Sequence, residues 1–233
     1  MPAAFITATG TDIGKTFVTA GLARCLRARG RKVAVLKPVV SGFDIGALSA
    51  SDSAVLLEAA GQAPSPGAIE AISPWRFAAP LSPDMAGRRE GRAIDFPALV
   101  AFCRAAIGAA DDVLLIEGIG GLMVPLTDDK TVLDLIEALR IPSILVAGTY
   151  VGTLSHTLAA VEIMVRRGIG PAALVLNETP DSPASGEETA KSLQHFCAPT
   201  PIFAIARCDG RDDTRGSINA ARFKKIGDLI LQS

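Results

Sequence analysis

The residues best suited to chemistry lie near the start of the chain, where ATGTDIGKT ends in Gly14-Lys15-Thr16. A polyphosphate calls for that set: glycine lets backbone N–H groups approach the anion, lysine neutralises its charge, and threonine offers an oxygen to magnesium. The commoner spacing of such a loop puts its opening glycine at position 9, where Thr9 stands with Ala8 before it. An alanine there costs about 1 kcal/mol only if the backbone must take positive φ. We expect negative φ at Ala8, with Gly10 and Gly14 making the unusual turns.

Other candidates follow short apolar runs. Lys37 comes after VAVL and opens KPVVSG, where its cation could reinforce anion binding or merely cap a strand in solvent. Glu117 follows LLI and precedes Gly118-Ile119-Gly120-Gly121, which resembles the acidic magnesium position of phosphate-loop enzymes. Asp52 opens SDSAVLLEAA; it reads most simply as a helix N-cap, and could also be a second metal carboxylate. Gly152-Thr153-Leu154-Ser155-His156 opens an amphipathic stretch whose first N–H groups and hydroxyls could seat a carboxylate or could only cap the helix.

Elements of two kinds must position these groups. Six runs have strand length: AAFITA (3–8), KVAVLKP (32–38), DVLLIEG (112–118), PSILVAG (142–148), AALVLN (172–177) and PIFAIA (201–206). Their apolarity is continuous, as in parallel strands buried on both faces. Amphipathic stretches alternate with them: 16–29, 53–60, 96–110, 131–139, 154–167, 186–196 and 218–231. The pattern predicts an α/β fold, a single P-loop NTPase-like domain spanning 1–233, with a mostly parallel, doubly wound sheet and helices on both faces. Ligands of such sheets bind beyond the carboxyl ends of the strands, where the candidates above fall. Residues 64–91, rich in Pro, Gly and Arg, form the longest interruption and are expected to be functional.

Composition narrows the partners. Basic and acidic residues number 23 and 24, so no global field draws the protein to nucleic acid or anionic lipid. No apolar run approaches the roughly 18 residues of a membrane span. The opening MPAAFITATG lacks the basic and apolar regions of a secretory signal, and Cys25, Cys103, Cys197 and Cys208 are too scattered for a zinc cluster. A cytoplasmic location with buried, reduced thiols is the expectation.

Taken together, the motifs resemble dethiobiotin synthetase. TATGTDIGKT aligns without a gap to a family loop with five residues between its glycines, Ala8 replacing the first. KPVVSG, LLIEGIGG, VGTLSHT and RFAAPLSPDMA match further family motifs in order. The resemblance implies an ATP- and magnesium-dependent ligase that joins CO2 (or bicarbonate) to 7,8-diaminopelargonate through a carbamate and a carbamic-phosphoric anhydride, working as a homodimer.

Carried over residue by residue, it assigns Lys37, Lys15 and Thr11 to catalysis. ATP contacts would come from Asp12, Ile13, Gly14, Lys15, Thr16, Phe17, Asp52, Glu117, Gly118, Ile119 and Gly120, with Asn177 reading adenine. Thr16, Asp52 and Glu117 would surround magnesium. Ser41 would touch the diamine, and Gly152, Thr153, Leu154 and Ser155 would hold its carboxylate across the dimer interface. Asp84, Tyr150 and Ser155 depart from the usual family residues, and the stretch 204–208 matches its family counterpart poorly. A P-loop switch ATPase of the partition or division-site class is the rival expectation, though TATGTD lacks that class's early second lysine; a non-catalytic nucleotide-binding regulator is another.

Overall fold

The computed structural model describes residues 1–207 and 213–232. Cys208, one of the expected buried thiols, lies outside them. Six strands form one parallel sheet: β1 (Ala3–Ala8), β2 (Val33–Leu36), β5 (Val113–Glu117), β6 (Ser143–Ala147), β7 (Ala173–Asn177) and β8 (Ile202–Ile205), in the order β2-β5-β1-β6-β7-β8. β1 and β5 are buried at every position. No side of these strands faces water, which is why their sequences do not alternate.

Helices cover the sheet. α1 (Lys15–Ala28), α2 (Asp52–Ala59), α5 (Phe96–Ala109), α6 (Val132–Leu139), α7 (Thr153–Arg166) and α8 (Gly186–Cys197) keep close to the expected spans. α9 (Asp213–Leu231) starts earlier than expected and buries Phe223, Ile226 and Ile230; its contacts with α1 and β8 dock it on the body of the domain. Among the described residues, no helix is long and apolar enough to cross a membrane.

The interruption at 64–91 is built, not loose. It holds α3 (Pro66–Ile72), the short strand β4 (Trp75–Phe77) and α4 (Pro83–Arg89). β4 pairs in parallel with β3 (Val39–Ser41), Val39 opposite Trp75 and Ser41 opposite Phe77. Arg76 of this segment lies over the Phe43 ring at 5.5 Å, and Arg92, just beyond it, over Phe77 at 5.1 Å, so both guanidinium groups serve packing. Asp84 sits in the first turn of α4 and meets Arg88 at 2.6 Å, while Arg88 reaches Asp128 at 2.6 Å. Burial acts to raise the Asp84 pKa, but the polar surroundings at the start of α4 (Ser82 and the Met85 backbone) and the Arg88 hydrogen bond and charge hold it below the ordinary carboxylate value.

Candidate active site

β1 runs directly into the phosphate loop. Ala8 is the last strand residue, fully buried opposite Val146, and does not have positive φ. The left-handed turns are made by Asp12 (φ 57°) and Gly14 (φ 96°). The expectation for Ala8 holds, whereas Gly10 makes no such turn: Asp12 replaces it, aspartate being among the few non-glycine residues that tolerate this region. Gly14 is constrained twice, because a Cβ there would overlap the Asn177 amide. That amide donates to the Ile13 carbonyl at 2.9 Å, tying the loop to the end of β7.

α1 begins at Lys15, so its free N–H groups and dipole face the space above the loop. Here a cleft of about 390 Å³ is lined by Thr11, Asp12, Gly14, Lys15, Thr16, Lys37, Val40, Ser41, Asp52, Ile119 and Gly120. Sequence reasoning named all of these except Val40, a residue with no polar group to mark it.

Lys37 departs from the expected surface position. It is 3% exposed, and its Nζ lies 2.5 Å from Glu117 Oε1 and 3.2 Å from Asp52 Oδ2. Thr16 Oγ1 donates to the same Glu117 oxygen at 2.7 Å. Asp52 is free to join because Ser51, not Asp52, caps α2, its hydroxyl accepting from the Ala54 N–H at 3.2 Å. Glu117 is wholly buried, and its Oε2 has no hydrogen-bond partner among the described residues.

The two lysines differ electrostatically. Burial opposes the Lys37 charge, but the Glu117 and Asp52 carboxylates outweigh it and hold its pKa above the ordinary value. Lys15 is pushed down to about 8, first by burial and then by the Lys37 charge. Its Nζ has one weak contact, 3.4 Å from the Gly10 carbonyl. One cation is therefore already neutralised, and the other is held at a cost that an arriving anion would relieve.

Several candidates fall elsewhere. Ile13 is buried, Gly118 is buried against the Phe5 ring, and Phe17 meets the Phe223 ring edge-on at 6.4 Å; none lines the cleft. Gly152 caps α7 with φ 94°, Thr153 donates to the Gly148 carbonyl at 2.6 Å, and Leu154 and Ser155 are exposed. Tyr150 Oη and His156 Nδ1 are 2.9 Å apart beside them. Between α7 and the turn after β5 lies a groove of about 560 Å³ lined by Leu122, Met123, Val124, Pro125, His156 and Ala160 among others. Thr11 borders both spaces.

A parallel sheet whose first strand leads through a Gly-Lys-Thr turn into a helix, with a threonine and two carboxylates at the phosphate end, defines a P-loop nucleotide-binding protein. Solved structures agree on the fold. MinD cell division protein from Aquifex aeolicus superposes with a TM-score of 0.56 at 11% identity, covering 100% of this chain and 98% of that one. The cell division ATPase MinD of Pyrococcus furiosus gives 0.56 at 16%, covering 100% and 99%. A family model described as an AAA domain matches residues 3–207.

Sequence relatives are more specific. The ATP-dependent dethiobiotin synthetase BioD of Acidiphilium cryptum is 50% identical over 202 residues, covering 85% of this chain and 91% of the relative. That of Methylobacterium nodulans is 45% identical over 215 residues, covering 90% and 95%. The chain belongs to the ATP-dependent dethiobiotin synthetase family.

Proposed function

We propose that the protein converts 7,8-diaminopelargonate, CO2 and ATP into dethiobiotin, ADP and phosphate, the step its family name implies in biotin biosynthesis. The observation that carries this reading is the pair of ammonium groups, Lys15 and Lys37, lining one cleft with Ser41 between the phosphate loop and β3. In the first step a substrate amine attacks CO2; an N–C bond forms and the nitrogen loses a proton. The carbamate oxygen then attacks the γ-phosphorus and the bond to ADP breaks. Finally the second amine attacks the carbamoyl carbon, phosphate leaves, and a cyclic urea results.

None of these steps needs a protein nucleophile. The chain's contribution is to place charge: Lys15 on the phosphates, Lys37 on the carbamate and the transferring phosphoryl group, Thr11 near the γ-phosphate. Magnesium suits the donor set. Thr16 Oγ1, Asp52 and Glu117 offer only hard oxygens, and Glu117 Oε2 is buried without a partner among the described residues. Such a cation is commonly held by one or two carboxylates together with substrate phosphates. When bound, it would supply positive charge to the phosphoryl oxygens.

The groove beside α7 supports a homodimer. It is mainly apolar, Met123 is half exposed and Val151 is 84% exposed beside Gly152. In that assembly the α7 N-terminus of one protomer, with its Gly152–Ser155 N–H groups, would face the diamine site of its partner. The free thiols of Cys25, Cys103 and Cys197 accord with a reducing cytoplasm. The test is direct: protein, diaminopelargonate, bicarbonate and Mg-ATP are incubated, and dethiobiotin is sought by mass spectrometry. A folded, ATP-binding protein that makes none would overturn the reading.

A further inference from the structure

Lys37 and Asp52 lie 3.2 Å apart, yet the chain between them does little to hold them there. Lys37 follows β2 and Asp52 opens α2, and the connection reaches α2 through a helical turn, Ile45–Ala50, in which no residue is buried. Ile45 is 79% exposed. A turn packed so lightly fixes its ends poorly.

The constraint comes through the end of α3. The Lys37 N–H donates to the Ile72 carbonyl at 3.1 Å. The next residue, Ser73, places its hydroxyl 2.7 Å from that of Ser53, and Ser53 follows Asp52 directly. With the Lys37–Asp52 ion pair these contacts close a ring: Lys37, Ile72, Ser73, Ser53, Asp52 and back to Lys37. Ser73 is itself fixed, its N–H donating to the Ile69 carbonyl at 2.9 Å and its carbonyl accepting from the Arg76 guanidinium. The far end of α2 is tied separately, by Arg27 to the Ala59 carbonyl at 3.3 Å.

Ser53 and Ser73 are both fully buried. Stability does not account for them. Two buried hydroxyls that bond to each other regain little more than they lost on leaving water, and a pair of alanines would fill nearly the same space. What a hydrogen bond adds over an apolar contact is a set distance and direction.

We propose that Ser53 and Ser73 are positioning residues for the reaction: their buried hydrogen bond ties the start of α2 to the segment that holds the Lys37 backbone, and so sets the Asp52 carboxylate against the Lys37 ammonium. The kinetic consequence rests on the function proposed above; the geometric one does not.

The test compares Ser53→Ala, Ser73→Ala and the double variant. Each single change leaves one buried hydroxyl without its partner and should lower Tm, whereas the double variant leaves none and should regain most of the loss. Turnover should behave differently. In all three variants kcat should fall by roughly ten-fold, with KM for ATP within about two-fold of the parent, because the tie is missing in each. The double variant carries this comparison alone if the single variants do not fold. A kcat that recovers along with Tm in the double variant, or that is unchanged in all three, would overturn the proposal. In a second arm Asp52→Asn is added to the parent and to the double-alanine protein, and the drop in Tm should be at least about two-fold smaller in the latter. An equal drop in both would overturn the proposal. A parent protein that makes no dethiobiotin would overturn the proposed function instead, and the melts would still decide the role of the two serines.

Discussion

The cleft above the phosphate loop and the groove beside α7 share Thr11 yet are built on opposite terms. In the cleft, charged groups converge from α1, the end of β2, α2 and β5, and Lys37, Glu117, Asp52 and Thr16 already bond to one another within a single chain. The groove presents Leu122, Met123, Val124 and Pro125 with few polar groups, and Val151 and Leu154, at the start of α7, are exposed as well. Phosphate chemistry needs charge fixed before the substrate arrives, because dipoles reorganised during reaction forfeit part of their benefit. The groove needs only shape and dryness, which a second surface can complete.

The largest expected effect comes from removing the cation that joins the cleft together. Lys37→Ala should lower turnover by on the order of 10³-fold while ATP still binds. It should also cost about 3–5 kcal/mol of stability, since Glu117 is left buried without its partner. Denaturant melts and steady-state rates measure both, and normal turnover in that variant would remove Lys37 from the mechanism. On the groove side, Met123→Glu should halve the particle mass in light scattering and raise KM for the diamine by roughly ten-fold, with ATP binding kept. An unchanged mass, or a parent protein that is already monomeric, would refute the dimer face.

A smaller effect separates the two lysines by pH. Lys37 stays protonated across the working range, so the dependence belongs to Lys15. With its pKa lowered to about 8, Lys15 loses charge in the free protein as pH rises through that value, and ATP binding should weaken several-fold between pH 7 and 9. Lys15→Arg should flatten the profile. The stability sign is opposite to that of a salt bridge. Below pH 8 both folded and unfolded states hold the proton and the full burial penalty, ~3 kcal/mol, applies. Between pH 8 and the ordinary lysine value the folded state binds fewer protons, so the penalty fades. Lys15→Met should therefore be more stable than the parent at pH 7 by an amount that shrinks toward pH 10. The smallest effect is Ala8→Gly, which should change stability by no more than about 1 kcal/mol and leave ATP binding intact.

How much was legible in the sequence follows the same division. The six sheet strands were readable because burial on both faces writes itself as unbroken apolarity. The cleft was readable because phosphate, lysine and carboxylate chemistry uses few residue types at strand ends. The segment 64–91 was not, since α3, β4 and α4 are short and depend on contacts with β3 and the core more than on local periodicity. The left-handed turn fell on Asp12 rather than Gly10, where a short polar side chain stands in for the glycine the motif suggested. The α2 cap belonged to Ser51, one residue before the expected Asp52, and that shift is what frees a carboxylate for Lys37.

Lys37 is anchored through its backbone as well as through its ammonium. Its backbone N–H bonds to the Ile72 carbonyl at the end of α3, and the Trp75 N–H to the Pro38 carbonyl, each at 3.1 Å. The lysine is thus moored twice, by its backbone to the end of α3 and by its side chain to β5 and α2. A lysine grafted alone onto another phosphate-loop scaffold would arrive without either mooring, the Ile72 carbonyl behind its backbone or the Glu117 and Asp52 carboxylates around its ammonium.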